Sequence, residues 1–429
     1  MVIHNFNCEG KLNAYRKIFI MYQYKIYKKD KRDFDVIKNV NVSKATFYRA
    51  IKVEFDGYED LLVDVGKLYG LDTSIDQDVI DEINKLFSKY FNAIYFNERN
   101  IANEYYNLIQ EKRDKYLNNI LLITLYITEL SYMLYEVNFT RTINRVRLKE
   151  LYSDLSFFEG AMTEEQKFLF YTFSMILFMH TGEVDNANVY MKEALKYDNI
   201  FPEISAFLYY HISVFKRDQN ENAYSLSYSK KAIEKFDEQL NYERSLMCRI
   251  NLAVAYRRLG AYEDAEIAQN YCLMRVELGR DKYIEPVSKV TLGYIYINKA
   301  EYNKALDYLI NVSDLYKQEN INQLYIAYCY LKLNMKDEFN ELYEELKEKD
   351  YQACYIPAME FMQYAFNEEK NYNEICERFD KVIQSFNSYK FEYFIRELLY
   401  ELVFDVLPIK EKKVVKYLEG YRNKLKLLP

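Results

Sequence analysis

The 429-residue sequence has no tryptophan and few turn residues, with ten glycines and five prolines. Sheets and long irregular loops depend on Gly and Pro, so their scarcity argues against a β-rich fold and favours helices joined by short connections. Half of the residues are hydrophobic, which is enough for a continuous buried core. A chain of this length is too long for one compact core. We therefore expect an all-α protein built as several domains or as an elongated array.

Cysteine is also sparse, since the six cysteines lie far apart and form no C-x-x-C pair. This spacing fits neither a disulfide framework nor a zinc site and is typical of a reducing compartment. The first ten residues lack the basic-then-apolar pattern of a signal peptide. The most apolar stretch, 120–128, has about nine residues and is too short to span a bilayer. These features predict a cytoplasmic protein.

The motifs of common catalytic sites are missing. The sequence has no Gly-rich phosphate loop, no H-E-x-x-H and no G-x-S-x-G. The three histidines (His4, His180, His211) have no metal-ligand spacing, and His180 precedes a repeat turn, where a capping or packing role is expected. We therefore expect no enzyme activity, no cofactor and no metal.

Internal repetition is the strongest pattern that is present. The segment 251–266 (NLAVAYRRLGAYEDAE) has a tetratricopeptide pattern, with the small Ala253, the aromatic Tyr256, Gly260 at the turn and the small Ala265. Segments 178–195, 291–309 and 326–339 repeat it, and Asn334 takes the turn position in the last of them. The small residues allow two helices to approach closely, and Gly or Asn adopts the left-handed turn. Because no single pair buries its own apolar face, the pairs must stack.

A common register links these units with two looser ones. Its reference positions are 187, 225, 265, 305, 339 and 375, at intervals of 38, 40, 40, 34 and 36 residues. We therefore predict a right-handed tetratricopeptide-like α-solenoid over 161–390. Residues 73–160 are interpreted as degenerate helical repeats, and 391–429 as two closing helices that cap the array or dimerise.

Charge is distributed unevenly along the chain. Residues 1–52 contain twelve Lys and Arg against four Asp and Glu, a balance of +8, so the total of −7 leaves −15 for the other 377 residues. A basic end on an acidic body is the pattern of a nucleic-acid-binding head attached to a different kind of domain.

The basic end contains a candidate helix-turn-helix at 33–52 (DFDVIKNVNVSKATFYRAIK), within a predicted domain over 1–72. Asn41 can take the left-handed turn, Ser43 can cap the second helix, and Phe47 and Ile51 share an inward face. The residues predicted to meet double-stranded DNA are Ser43, Lys44, Ala45, Thr46, Tyr48, Arg49 and Lys52. Lys and Arg reach phosphates or guanine edges, and Thr a phosphate.

Other interpretations of the basic end stay open. A plain helical hairpin with a basic rim fits the same residues. The run YKKDKR at 27–32 could contact phosphates or form a solvated helix end.

A small N-terminal helix-turn-helix followed by a long tetratricopeptide-like solenoid resembles the RRNPP group of quorum-sensing regulators (Rap, Rgg, NprR, PlcR, PrgX). It is also similar to the arbitrium receptors of phages. The resemblance implies a cytoplasmic homodimer that binds a short signalling peptide on the concave face of the solenoid. Peptide binding would then change the spacing of two DNA-binding heads.

The resemblance also implies where a peptide lies. The first helix of each pair lines the concave face, with the residue before the signature Leu and the residue two after it facing the groove. The predicted peptide-binding residues, including two arginines one turn further on, are His211, Arg217, Asn251, Val254, Arg257, Thr291, Tyr294, Tyr325 and Tyr328. The Asn251 amide can both donate and accept hydrogen bonds, and Tyr294 and Tyr328 can act as aromatic anchors. The alternative is that these are ordinary surface or inter-helix residues.

Two functions follow as hypotheses. The first is a transcriptional regulator that binds DNA and is controlled by a peptide, acting as a homodimer through the closing helices. The second is an adaptor that sequesters or inhibits a protein partner without binding DNA.

Overall fold

A computed structural model describes residues 21, 23, 37–51, 59–71, 77–140, 142–277, 284–312, 320–348, 355–367, 371–386 and 402. These residues form helices and turns, and no strand occurs among them. The all-α prediction is therefore confirmed. Lys52, the basic run 27–32 and, apart from Leu402, the predicted closing helices lie outside the described residues.

The described α-helices are numbered α1 to α19 in chain order. Their bounds are Lys44–Ile51 (α1), Glu59–Leu68 (α2), Gln77–Tyr95 (α3), Arg99–Glu111 (α4), Arg113–Tyr116 (α5), Leu122–Thr140 (α6), Arg145–Phe158 (α7), Glu164–Thr181 (α8), Val184–Ala194 (α9), Ser205–Asp218 (α10), Asn222–Glu238 (α11), Tyr242–Arg258 (α12), Tyr262–Glu277 (α13), Ile284–Asn298 (α14), Tyr302–Ile310 (α15), Asn320–Lys332 (α16), Lys336–Lys347 (α17), Ile356–Ala365 (α18) and Tyr372–Phe386 (α19). A short 3-10 helix, Glu159–Ala161, follows α7.

The chain divides into two compact units. The first comprises Met1–Ile212 with Glu234–Arg244, and the second comprises Ser213–Ile233 with Ser245–Pro429. The domain boundaries predicted near residues 72, 160 and 390 concern the organisation of the repeats and not these two units, and they stay a prediction.

The first unit packs its helices against one another around an aromatic core. Helix α3 packs on α4, and α6 on both α7 and α8. In the core, the ring of Phe91 meets the rings of Phe173 and Phe207 edge-on, at centroid distances of 6.2 Å and 6.0 Å. The end of α3 is held by Arg244, which donates Nη2 to the Ile94 carbonyl at 2.6 Å and Nε to the Tyr95 carbonyl at 3.2 Å. These bonds satisfy carbonyls that a helix end leaves without internal partners.

The second unit stacks α13 to α19 in chain order, each helix packing on the next, with α16 also packing on α18. This succession is the stacking that the repeat pattern predicts.

The six register positions are all fully buried, with 0 % exposure. Four of them have small residues (Ala187, Ser225, Ala265, Ala305), and two have larger ones (Phe339, Ile375). The predicted turn residues have left-handed backbones, with φ of 78° at Gly182, 79° at Gly260 and 59° at Asn334. At the turn between α14 and α15 the residue is Ala300, with φ of 58°. The repeat register is therefore confirmed, and at one turn alanine takes the place of Gly or Asn.

Close approach of helices explains Gly293, which takes the place of Ala253 in the next repeat. A Cβ at Gly293 would lie 2.6 Å from both Cγ and Cδ2 of Leu309, which is fully buried on α15. The α14–α15 pair therefore requires glycine, because the Leu309 side chain fills the space of a methyl group.

Candidate functional site

Helix α1 separates an apolar face from a basic one. Its entry is fixed by Asn41, with φ of 51°, and by Ser43, whose Oγ accepts the Thr46 N–H at 3.0 Å. Phe47 is buried at 2 % exposure, so its side of the helix faces inward. The exposed residues are Ser43, Lys44, Ala45, Tyr48 and Arg49, and Thr46 is half-buried. The Lys44 Nζ lies 5.9 Å from the centroid of the Tyr48 ring.

This local geometry suits the second helix of a helix-turn-helix. The described segment directly before it begins at residue 37, with helical residues 37–39 and the turn 40–41. The helix-turn-helix and its DNA contacts therefore stay a prediction, in which the positively charged face is the one that a DNA groove would meet.

Asn251 on α12 lies at the centre of a hydrogen-bond network in the second unit. Its Nδ2 donates to Ser213 Oγ at 2.7 Å and to Ser229 Oγ at 3.2 Å, and its Oδ1 accepts from Arg217 Nη1 at 2.9 Å. The side chain is buried at 2 % exposure. Asn251 therefore holds Arg217 in place, whereas the sequence led us to expect an amide open to the groove.

Other predicted peptide-binding residues of the second unit also form contacts with residues of that unit. Thr291 is buried and donates Oγ1 to the Val287 carbonyl at 2.8 Å. The Tyr294 hydroxyl donates to Asn322 Oδ1 at 2.6 Å, and its ring centroid lies 4.0 Å from that of Tyr325.

The exposure of these residues varies with position. Tyr325 and Tyr328 are buried, whereas Val254 and Tyr294 are half-buried. The residues before the signature position (Asn251, Thr291, Tyr325) therefore lie between helices. Of the residues two after the signature position, Val254 and Tyr294 are half-buried and Tyr328 is buried.

His211 belongs to the first unit. Its ring meets those of Phe207 and Tyr210 at centroid distances of 4.5 Å and 5.0 Å. Burial lowers the pKa of His211 well below its ordinary value, and the charge of Arg244 lowers it further. A neutral imidazole packed between aromatic rings is typical of a packing residue.

Three arginines of the second unit, Arg217, Arg257 and Arg258, form what we call the arginine cluster. Arg258 donates Nη1 to the main-chain carbonyl of Arg217 at 2.6 Å. Arg217 also donates Nε and Nη2 to Asp218 Oδ1 at 2.9 Å and 2.8 Å, and Arg257 donates Nη1 to Asn298 Oδ1 at 3.1 Å.

Sequence reasoning named Arg217 and Arg257 but missed Arg258. Burial, together with the charges of Arg257 and Arg217, lowers the pKa of the Arg258 guanidinium to about 10. The sequence does contain a signal for Arg258. Arg257 and Arg258 are adjacent at the end of α12, where a single positive charge is enough to cap the helix.

Two buried carboxyl groups of the first unit provide a contrast. Glu129, with a side chain 6 % exposed, forms ion pairs with Arg113 and with Arg147, whose Nη2 lies 2.8 Å from Glu129 Oε2. Burial, together with the charge of Glu203, raises the pKa of Glu165 to about 8. The first carboxylate is therefore neutralised by arginines and the second by a proton.

Two absences hold for the part of the chain that the structure describes. No group of three or more His, Cys, Asp or Glu side chains there could hold a metal ion. No helix in the same residues has both the length and the apolar character needed to cross a membrane.

Solved structures share the fold over most of the chain. A Rap protein complexed with Competence and Sporulation Factor aligns with a TM-score of 0.68 at 13 % identity, covering 81 % of this chain and 98 % of that one. The apo form of the quorum sensor NprR from B. thuringiensis aligns at 0.56 with 17 % identity, covering 76 % and 99 %. NprR in complex with its cognate peptide NprX aligns at 0.53 with 17 % identity, covering 78 % and 99 %.

No protein-family model and no curated protein sequence matches the chain. At these identities the structural likeness shows the fold. The chain thus has the tetratricopeptide-like helical fold of Rap and NprR, and the resemblance noted from its sequence is confirmed at that level.

Proposed function

We propose that this protein is a cytoplasmic transcriptional regulator that binds double-stranded DNA through α1 and is controlled by a short peptide bound to its second unit. The observation that carries the DNA-binding half is the basic face of α1. Lys44, Tyr48 and Arg49 are exposed there, opposite the buried Phe47. A short capped helix with one buried aromatic residue and two exposed cations has the properties of a recognition helix.

Control by a peptide is supported by the shared fold. NprR is a quorum sensor whose complex with its cognate peptide has the fold of this chain. Among the predicted contacts, Val254 and Tyr294 offer apolar surface, while Arg217 and Arg257 offer charge. Asn251 acts in this proposal by fixing Arg217 through its amide oxygen.

A gel-shift titration tests the DNA-binding half. DNA fragments from the upstream region of the protein's own operon are titrated with wild type and with the double variant Lys44→Ala/Arg49→Ala, in a series of salt concentrations. Each phosphate contact contributes about one unit to the slope of log affinity against log salt, so the double variant should lose up to about two units. Lys67→Ala is the matched control, because Lys67 is an exposed cation of α2 paired with Asp64.

Each result of the gel-shift titration has a different meaning for the DNA-binding half of the proposal. Loss of binding in the double variant alone supports the proposal. If wild type binds none of the fragments, or if the double variant binds as wild type does, α1 is not the DNA-reading helix.

An adaptor that docks a protein without binding DNA is the second candidate. The observation that favours it is apolar surface on α13, where Ile267 is 69 % and Met274 55 % exposed. Residues seven apart lie on one face of a helix. If this candidate is right, Ile267→Asp/Met274→Asp should abolish function in the cell while Lys44→Ala/Arg49→Ala leaves it intact.

A further inference from the structure

We infer that one face of helix α13 binds the same face of a second copy of this chain, with the two helices antiparallel. Its residues are Asp264, Ile267, Tyr271, Met274 and Arg275, and we call it the α13 face. This contact is additional to the proposed function and depends on neither DNA nor peptide binding. It is also separate from the dimer contact predicted in the closing helices.

Two large apolar side chains of the α13 face are exposed to solvent, Ile267 at 69 % and Met274 at 55 %. They are seven residues apart, which is about two helical turns, so they lie in one line along the helix. Tyr271 lies between them and is half-buried. Single apolar residues scattered over a surface are normal, whereas apolar residues that lie together mark an interaction site.

The other repeats of the second unit have polar residues at the place of Ile267. Ile267 follows the register position Ala265 by two residues, and its equivalents are all exposed polar or charged residues: Ser227, Asp307, Glu341 and Glu377. Stacking of the repeats therefore does not require an apolar residue there. The exposed isoleucine of α13 has to be explained by something other than the fold of the second unit.

Opposite charges lie on one flank of the α13 face. Asp264 in the first turn and Arg275 in the last are both exposed. They are eleven residues apart, which is about three turns, so they share a flank of the helix. Among the described residues neither of them forms an ion pair. The Arg275 Nε donates to the Tyr271 hydroxyl at 3.2 Å, and this bond holds the guanidinium against the helix surface.

A two-fold axis perpendicular to α13 makes this face complementary to itself. The axis turns the second helix antiparallel to the first, so that Ile267 meets Met274 of the second copy. It also keeps the charged flanks on the same side. Arg275 then lies about 3 Å along the helix from Asp264 of the second copy, an offset of about two residues that an arginine side chain spans. A parallel pair would place like ends together, and neither charge would meet its opposite.

The self-complementarity favours a second copy over other occupants of the α13 face. The helix dipole explains an acid in the first turn and a base in the last, but it does not explain two exposed apolar residues between them. A second copy accounts for both, because the face contains each half of each contact. A single helix pair is a small interface, so we expect a weak dimer, with a dissociation constant in the micromolar range.

Sedimentation velocity of the full-length protein from about 1 to 200 μM measures self-association in the range expected for such an interface. Ile267→Asp/Met274→Asp should weaken it about tenfold or more, because carboxylates would have to be buried at the contact. Val189→Asp is the matched control and should leave association unchanged. Val189 is 54 % exposed on α9, two residues after the register position Ala187. Circular dichroism establishes that each variant is folded.

An exchange of charges identifies the occupant as a second copy. Asp264→Arg has cations at both ends of the α13 face and Arg275→Asp has acids at both, so each alone should associate about threefold more weakly than wild type. In an equal mixture, pairs of unlike variants again join opposite charges at both ends, and association should return to within about twofold of wild type. Asp185→Arg changes an exposed acid in the first turn of α9 and should gain nothing from mixing with Arg275→Asp.

Weaker association of Ile267→Asp/Met274→Asp, together with recovery in the mixture, supports the antiparallel contact. Three results would overturn it. The wild type could stay monomeric at every concentration, as it would if another protein covered the α13 face; Ile267→Asp/Met274→Asp could associate as wild type does; or the mixture could associate no better than its separate variants. None of these results bears on the gel-shift titration, so failure of this contact is distinct from failure of the proposed function.

Discussion

In the first unit, Arg113 and Arg147 converge on the buried Glu129, whereas in the second unit Arg217, Arg257 and Arg258 lie together with Asp218. The first group is nearly balanced by the chain itself, so it can serve the fold alone. The second is held by hydrogen bonds from Arg258 to the Arg217 carbonyl and from Arg217 to Asn251, and by the ion pair of Arg217 with Asp218. The first group therefore centres on a buried carboxylate, whereas the second also uses neutral polar atoms of neighbouring helices.

Glu165 shows how a buried carboxyl differs from a buried arginine. This buried carboxyl has Glu203 as its charged neighbour among the groups acting on its pKa, and its raised pKa lets it bind a proton near neutral pH. An arginine keeps its proton throughout the physiological range. A buried arginine therefore depends on the polar and anionic groups around it, and this contrast can be tested by changing those groups in each unit.

Removing the anion of the first unit should have the largest effect. Glu129→Gln leaves Arg113 and Arg147 facing a neutral amide, and breaking a buried ion pair in this way costs roughly 3–5 kcal/mol. The free energy of unfolding in urea measures it. Glu150→Gln is the control, because that carboxylate is 54 % exposed in its pair with Arg147 and should cost less than about 0.5 kcal/mol. A loss for Glu129→Gln no larger than the control's would show that this group is not what stabilises the first unit.

The buried carboxyl of Glu165 should make the stability of the protein depend on pH. The folded pKa of Glu165, about 8, lies above its ordinary value of 4.5. The folded state therefore holds a proton that the unfolded state releases, and stability is full below pH 4.5 and falls as the pH rises to about 8. The loss is on the order of 4 kcal/mol over this window, as the difference between the two pKa values requires.

Glu165→Gln should remove this pH dependence, since the amide resembles the protonated acid, and the variant should exceed wild type in stability at pH 8. Thermal unfolding between pH 5 and pH 8 measures both proteins. Glu164→Gln, at an exposed carboxyl one residue earlier, should behave as wild type. Parallel profiles for wild type and Glu165→Gln would mean that Glu165 is ionised in the folded protein.

The sequence predicts the helix pairs well but not these charged groups, for a physical reason. The register positions such as Ala265, and turn residues such as Gly260, follow from the spacing of the repeats, which is local information. Asn251 is bonded to Ser229 and Ser213, which are 22 and 38 residues away. Arg258 meets Arg217 across 41 residues. Which of two adjacent arginines completes a cluster depends on how neighbouring helices pack, and no spacing rule contains that.

Replacing single arginines by methionine should distinguish the two groups at intermediate magnitude. Arg147→Met removes one of two partners of a buried carboxylate and should cost about 1–2 kcal/mol. Arg258→Met loses one bond to a carbonyl but relieves repulsion by Arg217 and Arg257, so the net change should stay within about 0.5 kcal/mol. Urea unfolding of both variants measures the difference. Equal losses would remove the distinction between the two groups of arginines.

Placing a carboxylate at position 251, beside Arg217, should have the smallest effect on stability. Asn251→Asp keeps an oxygen at 2.9 Å from Arg217 Nη1, and the hydroxyls of Ser213 and Ser229 can rotate to donate to it. The gain from the new ion pair should largely offset the cost of burying the charge, leaving a change below about 0.5 kcal/mol. The arginine cluster would then resemble the group around Glu129. Asn270→Asp adds the same charge at an exposed position of α13 and should change stability by no more than this. Urea unfolding measures both variants, and a loss of about 3 kcal/mol or more in Asn251→Asp would show that Arg217 does not compensate the buried charge.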